Sequence, residues 1–252
     1  MTKTMKHHFR SKLRDVFLSP LAWIWKWVYR IRRFCYDYGV FKQESFQVPI
    51  ISVGNLTFGG TGKTPFTLWI GQYFAAKKKK PLILMRGYRG KLENKSGIIL
   101  PQKRINPDPI EYGDEALIFA RRLLNTAVVV GKKRSANLKF YFPSFNPDVV
   151  ILDDGHQHLQ MKRVLNIVLF DALMPMPLYQ VAPIGRMRED WSALKDADLI
   201  VIGRADQAPL YQMQALEEAI RPKISQRVPV AHVTYRPKCF YNSSYIKVFD
   251  AD

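Results

Sequence analysis

The apolar positions of the chain fall into two rhythms. Short, mostly apolar stretches at 48–53, 81–85, 127–130, 147–152, 166–170, 199–202 and 228–233 predict strands, and the unbroken apolar run 81–85 predicts one buried in a parallel sheet. Between them, apolar residues spaced at helical intervals predict helices over 65–76, 114–124, 134–141 and 214–220. Residues 91–112 carry Pro101, Pro107 and Pro109 and read as irregular. Strands alternating with helices predict an α/β fold, a mostly parallel sheet covered by helices on both faces. Ligands in such folds sit beyond the carboxyl ends of strands. The polar loops 54–64, 86–90, 153–158 and residue 171 all fall at such ends.

A further helix precedes the first strand. Trp23, Ile24, Trp27, Val28, Ile31, Phe34 and Cys35 recur at helical spacing, with Lys26, Arg30, Arg33 and Asp37 on the other side. Residues 1–42 hold ten Lys or Arg and two acids, Asp15 and Asp37. A Trp-rich stripe on a basic helix is the composition of a helix lying in a membrane interface. The alternative is a stripe packed on the chain's own core. Pro20, Lys26 and Arg30 interrupt the apolar run, which is shorter than the roughly 20 residues a membrane span needs.

The first strand runs into Thr57-Phe58-Gly59-Gly60-Thr61-Gly62-Lys63-Thr64-Pro65. Glycines let backbone N–H groups turn inward around an anion, and the next helix presents its N-terminus to the same anion. Lys63 is placed to reach β- and γ-phosphates, and the Thr64 hydroxyl to hold Mg²⁺. The usual spacing G-x-x-x-x-G-K-[ST] puts Thr57 where glycine is expected. The strand at 147–152 ends in Asp153-Asp154-Gly155-His156-Gln157-His158. A carboxylate at that point completes a Mg²⁺ site beside the phosphate loop. Gln157 and His158 are candidates to position a nucleophile or contact phosphate. A His/Asp zinc site is the rival reading of this cluster. Asp114, after Gly113, is either a helix cap or a carboxylate that accepts a hydroxyl proton. Arg186 and Arg188 supply planar forks suited to phosphate.

Composition narrows the class. At 252 residues with 47% hydrophobic residues, one large α/β domain is within reach. Cys35 and Cys239 give no disulfide framework and no metal spacing, which favours a reducing compartment. A net charge of +18 calls for an anionic partner. Nucleic acid is disfavoured, because the aromatics gather with aliphatics in one helix rather than spreading as stacking platforms.

Together these segments resemble the tetraacyldisaccharide 4'-kinase (lipid A 4'-kinase) family over roughly residues 15–235. The family's run Val-Gly-Asn-Leu-Thr-x-Gly-Gly-Thr-Gly-Lys-Thr-Pro matches 53–65, and Thr57 is the family's own form. Arg86-Gly87-Tyr88 matches its Arg-Gly-Tyr loop. Gly113-Asp114-Glu115 matches its Gly-Asp-Glu-Pro, with Ala116 in place of Pro. Residues 153–158 match Asp-Asp-Gly-Phe-Gln-His, with His156 in place of Phe. Met187-Arg188-Glu189 matches its Leu-Arg-Glu-Pro, with Asp190 in place of Pro. The resemblance implies a P-loop NTPase-type fold and transfer of the ATP γ-phosphate to the 4'-hydroxyl of a tetraacylated glucosamine disaccharide 1-phosphate. The setting it implies is the cytoplasmic face of the inner membrane.

By resemblance, Thr57–Thr64 cradle ATP, Arg188 and Glu189 sit near the nucleotide or the lipid head group, and Thr64 with Asp153 or Asp154 holds Mg²⁺. Asp114 is then the base, with Lys63 and His158 beside it. The resemblance also implies a chain that stops short of a family C-terminal His segment, which leaves three readings: a truncated product, His156 or His158 standing in as the partner of Asp114, or poor activity. The expected organisation is a membrane-associated helix at 1–45, a kinase domain at 46–225 and the start of a shortened subdomain at 226–252. The rival is a P-loop ATPase switch or metallochaperone, which leaves the membrane-like helix and the Arg-Gly-Tyr loop unexplained.

Overall fold

Strand β1 (Ile50–Asn55) is buried along its whole length, because neighbouring strands and helices on both faces leave it no wet side. A computed structural model describes residues 3–101, 107–236, 239–241 and 247–250. Before β1 comes α1 (Lys3–Asp37); after it follow α2 (Lys63–Ala76), β2 (Pro81–Met85), β3 (Gly97–Ile99), α3 (Pro109–Tyr112), α4 (Asp114–Arg122) and β4 (Ala127–Val130). The chain continues through α5 (Arg134–Phe145), β5 (Val149–Asp153), β6 (Leu165–Asp171), β7 (Leu199–Gly203), α6 (Leu210–Ile220), β8 (Val230–Val233), β9 (Cys239–Tyr241) and β10 (Lys247–Asp250).

The main sheet has eight strands in the order β3-β4-β2-β5-β1-β6-β7-β8, all parallel except β3. β3 falls in the stretch expected to be irregular, and it pairs antiparallel with β4 at the sheet edge. β8 pairs in parallel with β7, so the sheet runs past the expected boundary at 225 and ends at Val233. β9 and β10 form a separate two-stranded sheet.

Alternate residues of β1 feed different cores. Ile51 and Val53 pack with Phe66 and Ile70 of α2 and Phe119 of α4. Ile50 packs on the other face with Leu82, Leu152 and Leu138 of α5. A third cluster joins Leu56, Val168, Ile200 and Leu216 beneath α6. The register sets Val53 of β1 opposite Asp153 of β5, so the phosphate loop and the paired aspartates leave the sheet side by side.

Helix α1 is arranged the other way round. Among its described side chains, at 15–37, the buried ones are Ala22 and Arg33, the latter only 4% exposed. The apolar stripe faces outward, with Phe17 77% and Trp23 61% exposed, and Ile24, Trp27, Val28 and Ile31 beside them. The expectation that this stripe packs on the chain's own core is therefore corrected. The basic side is turned inward because it finds carboxylates there: Arg33 pairs with Glu189 and Asp196, and Arg30 with Asp190. Among the described residues, no helix is long and apolar enough to cross a membrane.

Candidate active site

A cavity of about 1130 Å³ opens at the carboxyl ends of β1, β2 and β5. Phe58, Gly59, Gly60, Thr61, Gly62, Lys63 and Thr64 form one wall, and Asp153, Asp154, Gln157, His158 and Arg188 another. Gly62 opens α2 in the left-handed region at φ 79°, and an added Cβ would meet the Tyr235 ring, with its hydroxyl oxygen at 2.9 Å. Tyr235 donates its own hydroxyl to Gly62 O at 3.2 Å. The first turn of α2 contains no acidic residue, so no side chain of its own offsets the positive dipole end that faces the cavity. Pro65 is the third helical residue, where a backbone N–H has no intrahelical partner anyway.

Lys63 Nζ donates to Asn55 Oδ1 at 3.1 Å and lies 3.4 Å from Asp154 Oδ1. Asn55 in turn receives Gln157 Nε2 on its carbonyl at 2.7 Å and donates to Thr57 Oγ1 at 3.2 Å. The two aspartates diverge. Asp153 accepts from Thr67 of α2 at 3.0 Å, while Asp154, at φ 48°, accepts from Arg188 Nη1 at 2.7 Å. Burial pushes the Asp153 carboxyl up to about 6, and the charge of Asp154 adds to this. Burial would raise Asp154 too, but Lys63 and Arg188 outweigh it and hold it at about 2. His158 is pushed down to about 3 by burial and then by Arg134, Arg32 and Arg163, so its imidazole is neutral.

Three buried polar atoms around this cavity, Thr61 Oγ1, His158 Nε2 and Arg188 Nε, lack a hydrogen-bond partner, and Asp154 Oδ1 has only its ion pair with Lys63. Such atoms are costly unless a ligand completes them. Among the described residues no group of three or more His, Cys, Asp or Glu comes together to hold a metal ion. The oxygens of Thr64, Asp153 and Asp154 nevertheless suit a small hard dication. Mg²⁺ is commonly held by one or two carboxylates together with phosphate oxygens and water.

Not every expected residue lines this space. Thr57 is buried below it in an isolated bridge to Met187, where it braces the loop. Glu189 is buried against Arg33 and faces away from the cavity. Asp114 begins α4 and is exposed, while its neighbour Glu115 is the residue that lines the wall and accepts from Thr64 at 3.5 Å. His156 is fully buried between Arg33 and Asn166 and does not reach Asp114's helix, so only His158 of the two histidines faces the cavity. An added Cβ at Gly54 would lie 2.5 Å from His156 Cβ, so this approach demands glycine.

Several lining residues were not singled out from sequence. Lys132 and Arg134 follow β4, Arg204 follows β7 and Tyr235 follows β8. Their common signal is position just past a strand's carboxyl end. A second cavity of about 800 Å³, lined by Leu21, Ile24, Trp25, Val28, Ala182 and Pro183, shares Tyr29 and Gln157 with the first. An apolar groove along α1 thus runs into the polar cavity.

Residues 14–247 match the family model of tetraacyldisaccharide-1-P 4'-kinase. The tetraacyldisaccharide 4'-kinase of Desulfotalea psychrophila is 36% identical over 238 residues, covering 93% of this chain and 68% of that protein. The enzyme of the same name from Geobacter metallireducens is 41% identical over 175 residues, 69% of this chain and 52% of its own length. The crystal structure of LpxK from Aquifex aeolicus in complex with ATP superposes with a TM-score of 0.72 at 28% identity, covering 93% of this chain and 69% of that one. The chain thus spans between about half and about two thirds of the length of these relatives.

Proposed function

The chain belongs to the tetraacyldisaccharide-1-phosphate 4'-kinase family, and on that premise we propose that it transfers the γ-phosphate of ATP to the 4'-hydroxyl of a tetraacylated glucosamine disaccharide 1-phosphate, a step of lipid A biosynthesis. The observation that carries this reading is the junction of two cavities. A polar one holds the phosphate loop and three buried polar atoms without a hydrogen-bond partner, and an apolar one runs into it along α1. A nucleotide suits the first and acyl chains suit the second.

Phosphoryl transfer asks the protein mainly for positioning and charge neutralisation. Backbone N–H groups of 59–63 and the start of α2 cradle the phosphates, Lys63 bridges toward the γ-phosphate, and Arg188 adds a planar fork from the opposite wall. Thr64 with Asp153 or Asp154 would hold Mg²⁺, which would supply neutralisation of the phosphate charge. Asp114 accepts the proton of the sugar hydroxyl from the exposed first turn of α4, beside Glu115. Neutral His158 offers Nε2 as a hydrogen-bonding atom at the cavity wall without adding charge. The outward apolar stripe of α1 lies on an anionic membrane surface at the cytoplasmic face of the inner membrane.

The test is direct. The chain is incubated with γ-labelled ATP, Mg²⁺ and the tetraacyl disaccharide 1-phosphate, with the Aquifex aeolicus enzyme as positive control. Label is expected in the lipid. An unlabelled lipid beside an active control contradicts the proposal.

A further inference from the structure

The three residues Arg188-Glu189-Asp190 are gripped from two sides. On one side they are zipped to the phosphate loop. Arg188 N donates to Leu56 O at 2.6 Å, Phe58 N donates to Arg186 O at 2.7 Å, and the Arg188 guanidinium lies 5.2 Å from the Phe58 ring centroid as well as on Asp154. On the other side α1 holds each residue in turn. Trp25 Nε1 donates to Arg188 O at 2.9 Å, Arg33 pairs with Glu189, and Arg30 and Lys26 lie 2.5 and 3.4 Å from Asp190.

Arg33 is the centre of this grip. Its guanidinium meets Glu189 and Asp196, and its Nη2 lies 3.0 Å from His156 Nε2. Glu189 is 1% exposed. A desolvated carboxylate in that position is tolerated only while its cation is present. Without Arg33, Glu189 must move toward water, and Arg188 is its immediate neighbour on the same strand of chain.

We propose that Arg33 is a positioning residue for the nucleotide site: docking of α1 on residues 188–190 holds Arg188 against Asp154 and the entry of the phosphate loop, so docking and nucleotide binding are coupled. The inference rests on reading the polar cavity as the nucleotide site. Coupling is reciprocal, so bound nucleotide must also tighten the docking of α1.

The experiment titrates the full chain with a fluorescent ATP analogue and Mg²⁺, with circular dichroism and cooperative melting as checks of fold. Arg33→Met is expected to weaken nucleotide binding at least tenfold. Arg33→Lys, a single point charge that cannot bridge two carboxylates and an imidazole, is expected to fall in between. Trp25→Phe, which removes one hydrogen bond and keeps the ring, is expected to weaken binding about threefold. Hydrogen exchange of α1 amides over residues 25–37 is expected to slow when nucleotide binds the wild type. A folded Arg33→Met protein with wild-type affinity overturns the inference. If Arg33→Met does not fold, Trp25→Phe decides, and unchanged affinity there overturns it equally. So does α1 exchange that ignores nucleotide. Failure of the wild type to bind the analogue overturns the nucleotide-site reading itself, and this inference with it, so the two failures are told apart.

Discussion

Helices α1 and α2 are both rich in aromatic residues, and they face opposite ways. α2 turns Phe66 and Ile70 onto Ile51, Val53 and Ile83 of the sheet and leaves Trp69 and Tyr73 exposed on its other side. α1 turns Trp23, Ile24, Val28 and Ile31 outward and buries Arg33. Periodicity announces a helix in both cases but does not say which side is inside. In α2 the sheet supplies an apolar partner. In α1 the local partners are carboxylates, Glu189, Asp190 and Asp196, more than 150 residues away in sequence, and they select the basic side. Under the proposed function the difference means two kinds of work: α2 builds the phosphate site from a rigid core, while α1 keeps an apolar surface available for lipid.

The contrast is broken most strongly from the α2 side. Phe66→Ala is expected to cost about 3–5 kcal/mol of stability in urea unfolding, as a large buried ring lost from a packed core. A loss below about 1 kcal/mol would mean that α2 is not seated as described.

Next in size is the pH response of Asp153, which lies under α2 and is bonded by Thr67. Its pKa is raised by burial from 3.8 to about 6. A raised carboxyl stabilises the fold fully below its unfolded value and loses that contribution as pH rises to its folded value. Metal-free protein should therefore lose on the order of 2–3 kcal/mol from this group between about pH 4 and pH 6. Asp153→Asn should flatten that part of the profile, and a variant with the wild-type slope would assign the effect elsewhere.

At the start of α2, Lys63→Ala is expected to lower phosphoryl transfer more than tenfold with little change in melting temperature, because its partners Asn55 and Asp154 lie in the cavity wall. Tyr235→Phe removes one hydrogen bond to Gly62 O. It should cost about 1 kcal/mol of nucleotide affinity, near fivefold in Kd. The smallest expected effect is on α1. Trp23→Ser should change stability by no more than about 0.5 kcal/mol, since the ring already faces out. A large loss would show that the stripe is covered after all.

Much of the fold could be read from the chain because its central strands, 50–55, 81–85 and 149–153 among them, are short and mostly apolar and are buried throughout. β3 could not, since three residues within a Pro-containing stretch carry no period of their own. The site was legible where a motif sits at a strand end, as with Lys63, Thr64, Asp153 and Asp154. It was less legible where a helix turn selects one of two adjacent acids, as with exposed Asp114 and cavity-lining Glu115. Thr57 and Glu189 belong to the family pattern, yet their side chains serve the scaffold: one braces the loop on Met187 and the other anchors Arg33. A motif marks that a residue type is required, and only the packing tells whether it meets ligand or holds what does.

The most direct test compares transfer to the lipid acceptor presented in anionic vesicles with transfer in detergent micelles, for the wild type and a Phe17→Ser/Trp23→Ser double variant. The two rings are among the exposed parts of the stripe and line neither cavity. The account predicts a loss of at least tenfold on vesicles and a micelle rate within about twofold of wild type. Equal loss in both, or no loss on vesicles, would contradict the assignment of the outward face of α1 to the membrane surface.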